Sequence, residues 1–338
     1  MSGDTPPIYE VDDLVIDLYA GSVSVRAVDG VTFALRPRET VAVVGESGSG
    51  KTVMTLGPLG LLPEGVTVDI RGTAVSEGTN LLTMSPRQLS GLRGSTFGVV
   101  FQDPISALNP MKRVGPQLAA QARRLTGVGK VEAKAEAVRL LRRTGIPDPE
   151  DRYHRYPHEM SGGMLQRVMI ALALAGKPKV LIADEPTTAL DATVQAQILE
   201  LILQLQREDD IAVLLITHDI GVVSRIADRV VVLYAGRIAE EGPALDVLTE
   251  PVHPYTIGLL NSVPDLRKPL GAPRQGIPGA PPDQSRLVPG CRFAERCPLV
   301  EPRCRIHTPA LEHVSGRRVK QRVACPPQVK RSRELVDA

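Results

Sequence analysis

Gly45-Glu46-Ser47-Gly48-Ser49-Gly50-Lys51-Thr52 has the pattern G-x-x-x-x-G-K-[ST], and the apolar run Val41-Ala42-Val43-Val44 leads into it. In that context the backbone N–H groups of Gly45, Ser47, Gly48, Ser49 and Gly50, with the positive end of the next helix, surround phosphate oxygens. Lys51 adds charge at the β/γ-phosphates, and the Thr52 hydroxyl is placed to ligate Mg²⁺. A second buried run, Val180-Leu181-Ile182-Ala183, ends at Asp184-Glu185, where side chains project from the carboxyl edge of a sheet. Asp184 is then suited to the Mg²⁺ shell and Glu185 to polarising a water for in-line attack on a γ-phosphate. Together these residues predict binding and hydrolysis of a nucleoside triphosphate.

The elements that must carry them follow from periodicity. Residues 8 to 37 are rich in β-branched types and alternate loosely, which predicts antiparallel strands. The runs at 41–44, 180–183, 212–216 and 230–234 read as central parallel strands, the third ending at Thr217-His218. Between them, Val194, Ile198, Ile202 and Leu205 share one face of a helix over 192–206 that would cover the sheet. Residues 103 to 165 are strand-poor, and a helix over 131–143 stops at Thr144-Gly145. The predicted architecture is α/β: an ATPase core with an antiparallel β subdomain, an inserted helical subdomain and a small cysteine-bearing extension. Its boundaries are 1–102 and 166–262 for the core, 103–165 for the helical insert, and 263–338 for a Pro/Gly-rich linker and the tail.

Length and composition agree with one large domain plus an appendage: 338 residues, 43% hydrophobic and 23% charged. With 40 Lys and Arg against 38 Asp and Glu, the balance does not favour a nucleic-acid partner. No apolar stretch approaches the roughly 18 residues that span a bilayer. The first ten residues lack a basic n-region and an apolar h-region, so a cytosolic location is expected.

Further motifs narrow the class. Met160-Ser161-Gly162-Gly163-Met164 resembles the Leu-Ser-Gly-Gly-Gln signature of ABC ATPases, with Met164 in place of the usual Gln, and is followed by Leu165-Gln166-Arg167 as in that family. Phe101-Gln102-Asp103 is similar to its Q-loop, Ala189-Leu190-Asp191 to its D-loop and Thr217-His218-Asp219 to its H-switch. The resemblance implies that Ser161, Gly162 and Gly163 cap the γ-phosphate of an ATP bound by an opposing subunit, so that ATP closes the pair and hydrolysis reopens it. It further implies that His218 holds the attacking water with Glu185, that Asp191 lies beside the nucleotide, and that Gln102 contacts the metal shell and relays motion to membrane subunits. Tyr19 is the candidate for stacking on adenine.

Within that class the chain resembles, over about residues 8 to 326, the ATP-binding subunits of dipeptide and oligopeptide importers. The stretches that carry this are Val28-Asp29-Gly30-Val31, Leu108-Asn109-Pro110, Tyr156-Pro157-His158-Glu159, His253-Pro254-Tyr255-Thr256 and Gly290 to Pro298. The resemblance implies a paralogous ATPase partner in a heterodimer, two membrane-spanning permease subunits, an extracytoplasmic solute-binding protein, no nucleic acid, and a place on the cytoplasmic membrane face. An importer for another solute such as nickel, and a non-transport ABC ATPase of DNA repair or translation, are the alternatives. The latter usually carries a coiled-coil insert or two cassettes in one chain. The distance from Lys51 to Ser161 leaves room only for a compact helical insert.

Cys291, Cys297, Cys304 and Cys325 are separated by five, six and twenty residues, without the Cys-x₂₋₄-Cys knuckle of structural zinc sites. Wider spacing suits a [4Fe–4S] cube, and the Cys-Pro steps at 297–298 and 325–326 also occur in ferredoxin ligation. Importer ATPases of this type are similar in carrying such a cluster. Zinc, or unmetallated thiols packed as small hydrophobes, are the other readings. The tail is expected to be separable from nucleotide binding, so that losing a cysteine leaves ATP binding intact.

Overall fold

The computed structural model describes residues 5–63, 65–188, 190–262, 276–286, 289–313 and 321–325. In chain order the strands are β1 (Tyr9–Ala20), β2 (Val23–Leu35), β3 (Thr40–Val44), β4 (Thr67–Ser76), β5 (Thr79–Asn80), β6 (Phe97–Val100), β7 (Val180–Asp184), β8 (Ala212–Thr217), β9 (Arg229–Tyr234), β10 (Arg237–Pro243), β11 (Glu312–His313) and β12 (Arg322–Val323). The helices are α1 (Lys51–Leu56), α2 (Pro86–Leu92), α3 (Pro104–Ala107), α4 (Val114–Thr126), α5 (Lys130–Arg143), α6 (Pro149–Arg152), α7 (Gly162–Leu174), α8 (Ala192–Asp209), α9 (Ile220–Ile226), α10 (Ala244–Thr249) and α11 (Pro254–Asn261). Two compact units divide them: one holds residues 1–9, 35–39 and 83–216, the other 10–34, 40–82 and 217–338.

In the first unit, β6, β7 and β8 run parallel, with Phe97 opposite Val180 and Val180 opposite Ala212. Every residue of β7 and β8 is buried, the mark of a parallel sheet covered on both faces, and this is why those strands are unbroken apolar runs. Their carboxyl ends deliver Asp184 and Thr217 to one edge. Between 103 and 165 there are helices and no strand among the described residues. There α4 and α5 pack on each other and both lie on α7. The expected helix at 131–143 is α5, with Ala133, Ala137, Leu140 and Leu141 buried, and it stops at Thr144. The helix expected over 192–206 is α8, which continues to Asp209.

In the second unit, β1 and β2 are joined by two residues, so they pair antiparallel in the four-stranded order β2-β1-β4-β5. Separately, β3 runs parallel to β9, and β9 and β10 form a hairpin. The tail extends this sheet: β12 pairs with β10, Glu240 opposite Val323, and β11 pairs with β12.

One fully buried carboxylate ties these pieces. Glu240 on β10 accepts from the backbone N–H groups of Val252 (2.9 Å) and His253 (2.9 Å) and from the Gln321 side-chain amide beside β12. Burial pushes its pKa up while those donors pull it down. Burial likewise pulls His253 down to about 4, which keeps the ring neutral so that Nδ1 accepts from the Tyr255 N–H at the start of α11.

Candidate functional site

The phosphate-loop residues lie in the second unit and the strand-end carboxylates in the first. The loop leaves β3 at Gly45 and enters α1 at Lys51, with a 3₁₀ turn, Gly57–Leu59, continuing the short helix. Gly50 has φ +99°, and a Cβ there would stand 2.2 Å from the Ala27 carbonyl oxygen, so only glycine fits. Lys51 is buried; its Nζ donates to the carbonyl oxygens of Gly45 and Glu46, both at 2.9 Å. Gly236, in the β9–β10 turn, donates its N–H to the Ser49 carbonyl at 2.9 Å. The Ser49 hydroxyl is buried without a hydrogen-bond partner among the described residues, which makes it a spare donor for an anionic ligand. Ser47, Gly48 and Thr52 are exposed, as groups that meet a soluble ligand must be. In the same unit, His218 is exposed just after β8, and Tyr19 is 40% exposed near the end of β1, an available aromatic surface.

In the first unit Asp184 is buried as the last residue of β7, and Glu185 follows with φ +46°. A non-glycine residue in the left-handed region costs free energy and is held there by its surroundings. Here the Glu185 N–H donates to Ile216 O at 2.9 Å, while Oε2 accepts from Gln102 Nε2 at 3.1 Å and Thr188 Oγ1 at 2.9 Å. Two of the predicted residues, Gln102 and Glu185, are thus in direct contact. The carboxylate is held by one donor from the segment after β6 and one from its own loop, which presets its orientation.

Ser161 is the N-cap of α7, its Oγ accepting from the Met164 N–H at 3.3 Å. Ser161 and Gly162 are exposed and Gly163 half-buried, so this helix start is open to solvent. Asp191 caps α8, its Oδ1 accepting from Thr193 and Val194 N–H at 3.0 Å each. Of the D-loop stretch, Ala189 lies outside the described residues.

The tail and α11 hold the residues that sequence reasoning missed. Arg296 grips both carboxylate oxygens of Glu46 in the phosphate loop, at 2.6 and 2.9 Å. Tyr255 OH accepts from the Glu46 N–H at 2.8 Å, and Gln284 Nε2 donates to Gly48 O at 2.6 Å. A basic residue beside a cysteine gives no local hint of such pairing; the only signal was the quoted similarity of 253–256 and 290–298. The tail, expected to be separable from nucleotide binding, touches the loop directly through Arg296 and Gln284.

The four cysteines are half-buried. Burial, and then the nearby thiols, push Cys297 up to about 11 and Cys325 up to about 12. Cys291, Cys304 and Cys325 line one cavity of about 500 Å³. Among the described residues, no three His, Cys, Asp or Glu side chains stand close enough to hold a metal ion, so the expected ligation by Cys291, Cys297, Cys304 and Cys325 is not preformed as a single-ion site.

The ABC transporter family model matches residues 28–188. Two solved structures share the fold: the dimeric ATP-binding cassette MJ0796 in a post-hydrolysis state bound to ADP and Pi (TM-score 0.61, 26% identity, covering 70% of this chain and 98% of that one), and cbiO1 from Clostridium perfringens, part of the ABC transporter complex cbiONQ (TM-score 0.62, 30% identity, 72% and 91%). The chain is an ATPase of the ABC class. The model for the C-terminal region of oligopeptide/dipeptide transporters matches residues 239–304. The oligopeptide transport ATP-binding protein OppD of Salmonella typhimurium is 47% identical, covering 93% of this chain and 92% of its own, and the dipeptide transport ATP-binding protein DppD of Bacillus subtilis is 47% identical over 86% and 87%. The chain belongs to the family of ATP-binding subunits of peptide ABC importers. No helix among the described residues is long and apolar enough to cross a membrane.

Proposed function

We propose that this subunit binds Mg·ATP on the 45–52 loop and cleaves it with Glu185 only when an opposing cassette supplies its own signature, and that the closure drives peptide uptake through two permease subunits. The observation that carries the chemistry is the Glu185 carboxylate held by Gln102 and Thr188 at the end of β7. Thr52 and Asp184 hold the Mg²⁺ shell with Gln102, Lys51 neutralises the phosphates, Tyr19 stacks on adenine, and His218 steadies the water. The exposed, Ser161-capped start of α7 serves the partner's ATP with Gly162 and Gly163, and Asp191 sits at the same interface. Met164 in place of Gln favours a paralogue as the partner, with an extracytoplasmic solute-binding protein delivering peptide and the assembly on the cytoplasmic face. Steady-state ATPase assays test this: the purified subunit turns over slowly, with a rate that rises with protein concentration or on adding the paralogue. Brisk turnover independent of concentration would overturn the interfacial reading.

For the tail the proposal is a [4Fe–4S] cluster on Cys291, Cys297, Cys304 and Cys325. Its support is the donor set: burial and then the neighbouring thiols of Cys291, Cys297 and Cys304 raise the pKa of Cys325, and three of the four thiols surround one cavity, which suits several irons and not one ion. The thiols of Cys291, Cys297 and Cys325, held protonated chiefly by burial, become thiolates only against a strong positive charge. When bound, the cluster supplies a rigid four-way crosslink that this short segment, with little core of its own, cannot make by packing. Anaerobically prepared protein should be brown, with about four irons and four acid-labile sulfides per chain. Colourless protein carrying stoichiometric zinc would refute it.

A further inference from the structure

The P-loop carries a carboxylate where it must receive a triphosphate. Glu46 is the second residue of the loop, its own carbonyl accepts from Lys51 Nζ, and an uncompensated negative charge there would repel the phosphates that Lys51 attracts. Arg296 answers that charge. It makes a fork-to-fork pair with both Glu46 oxygens, donates through Nε to Pro278 O at 2.8 Å, and lies over the Tyr234 ring at 5.8 Å, with Nη1 also 3.2 Å from the Tyr234 hydroxyl. Arg296 is 7% exposed, while the Glu46 side chain is half-buried, so solvent reaches the pair only from the carboxylate side.

Its placement depends on the cysteine frame. Arg296 is the last residue of a 3₁₀ turn, Ala294–Arg296, that Cys297 terminates; Ala294 N–H donates to Cys291 O at 3.0 Å, and Cys291 N–H to Cys304 O at 2.7 Å. Phe293, one turn back, packs edge-on against Tyr234 at 5.2 Å. Gln284 makes the second contact, from the tail to Gly48 O.

We infer that Arg296 is a positioning residue for nucleotide binding, supplied by the cysteine-bearing tail, which neutralises Glu46 and fixes the phosphate loop in its ATP-accepting form. This rests on the reading of the 45–52 loop as the ATP site. It follows that the integrity of the cysteine frame sets ATP affinity, since a displaced turn withdraws the guanidinium and leaves a carboxylate facing the triphosphate.

The test is Mg·ATP affinity of the full chain, read by displacement of a fluorescent ATP analogue, in a charge series. Arg296→Gln, which keeps polarity and hydrogen bonding but not charge, should weaken ATP about tenfold, with a deficit that shrinks as salt rises. Arg296→Lys should stay within about threefold of wild type because it keeps the charge while losing the fork. Adding Glu46→Gln to Arg296→Gln should restore affinity to within about threefold, since the offending charge is gone. A purely structural Arg296 predicts otherwise: Gln and Lys variants would lose affinity alike, the double variant would show no recovery, and either result overturns the inference. Unchanged affinity in Arg296→Gln, with Lys51→Ala impaired, overturns it while leaving the ATP-site reading intact. Unchanged affinity in Lys51→Ala overturns both.

Discussion

Glu185→Gln is expected to lower ATP turnover in the assembled importer by roughly a thousandfold, the scale of losing a positioned base, while ATP affinity stays within a factor of about three. The substitution changes one oxygen to an amide nitrogen and keeps side-chain length, so the partners of Glu185 can be retained: the amide oxygen still accepts from Thr188 or Gln102. The left-handed backbone at 185, held by the N–H bond to Ile216 O, does not depend on the side-chain charge. What is lost is the negative charge proposed to polarise water. Lys51, Thr52 and Asp184 remain, so binding persists and the variant should accumulate with ATP bound. Single-turnover measurement with radiolabelled ATP separates the steps. Residual turnover above a tenth of wild type would remove Glu185 from the role of base and point to His218 or to a backbone-positioned water.

The elements that position this carboxylate were legible because their causes are local. An apolar run buried on both faces, followed at once by Asp184-Glu185, can be little else than a central parallel strand meeting its edge. Likewise Ala133, Ala137, Leu140 and Leu141 keep helical spacing before the Thr144-Gly145 stop, so α5 is written in its own residues. The Gln102–Glu185 contact was not foreseen, since the two lie 83 positions apart and nothing in either neighbourhood encodes the other.

The tail is where local reasoning ran out. Arg296 and Glu46 are 250 residues apart, and Gln321 and Glu240 are 81 apart. A basic, Pro- and Gly-rich segment reads as solvated linker because regular periodicity is missing, and among its described residues most of the backbone is neither helix nor strand. Its order comes from a few long-range polar anchors and the cluster of Tyr234, Tyr255 and Phe293, whose rings lie 4.5 to 5.5 Å apart. Such anchors leave no pattern in sequence because each uses one residue. The quoted stretches at 253–256 and 290–298 nevertheless contain Tyr255, Phe293 and Arg296, so the resemblance marked the right residues without saying what they touch.

Lys51→Ala should fail earlier in the cycle than Glu185→Gln. Nζ donates to Gly45 O and Glu46 O, closing the loop on itself, and it is the only side-chain cation within the 45–52 loop. Truncation removes the charge expected to meet the phosphates, and with it the crosslink from Nζ to both carbonyls. ATP affinity should fall about a hundredfold, equivalent to about 3 kcal/mol, the upper range for hydrogen bonds to a charged group. Thermal unfolding distinguishes this from general damage. Without nucleotide the variant should melt close to wild type, because the loop is a small part of the fold. With saturating Mg·ATP the wild type gains stability as ligand binds the native state, and the variant should gain little at the same concentration. An equal ATP-dependent shift in both proteins would show that Lys51 does not contact the phosphates and that the anionic ligand lies elsewhere.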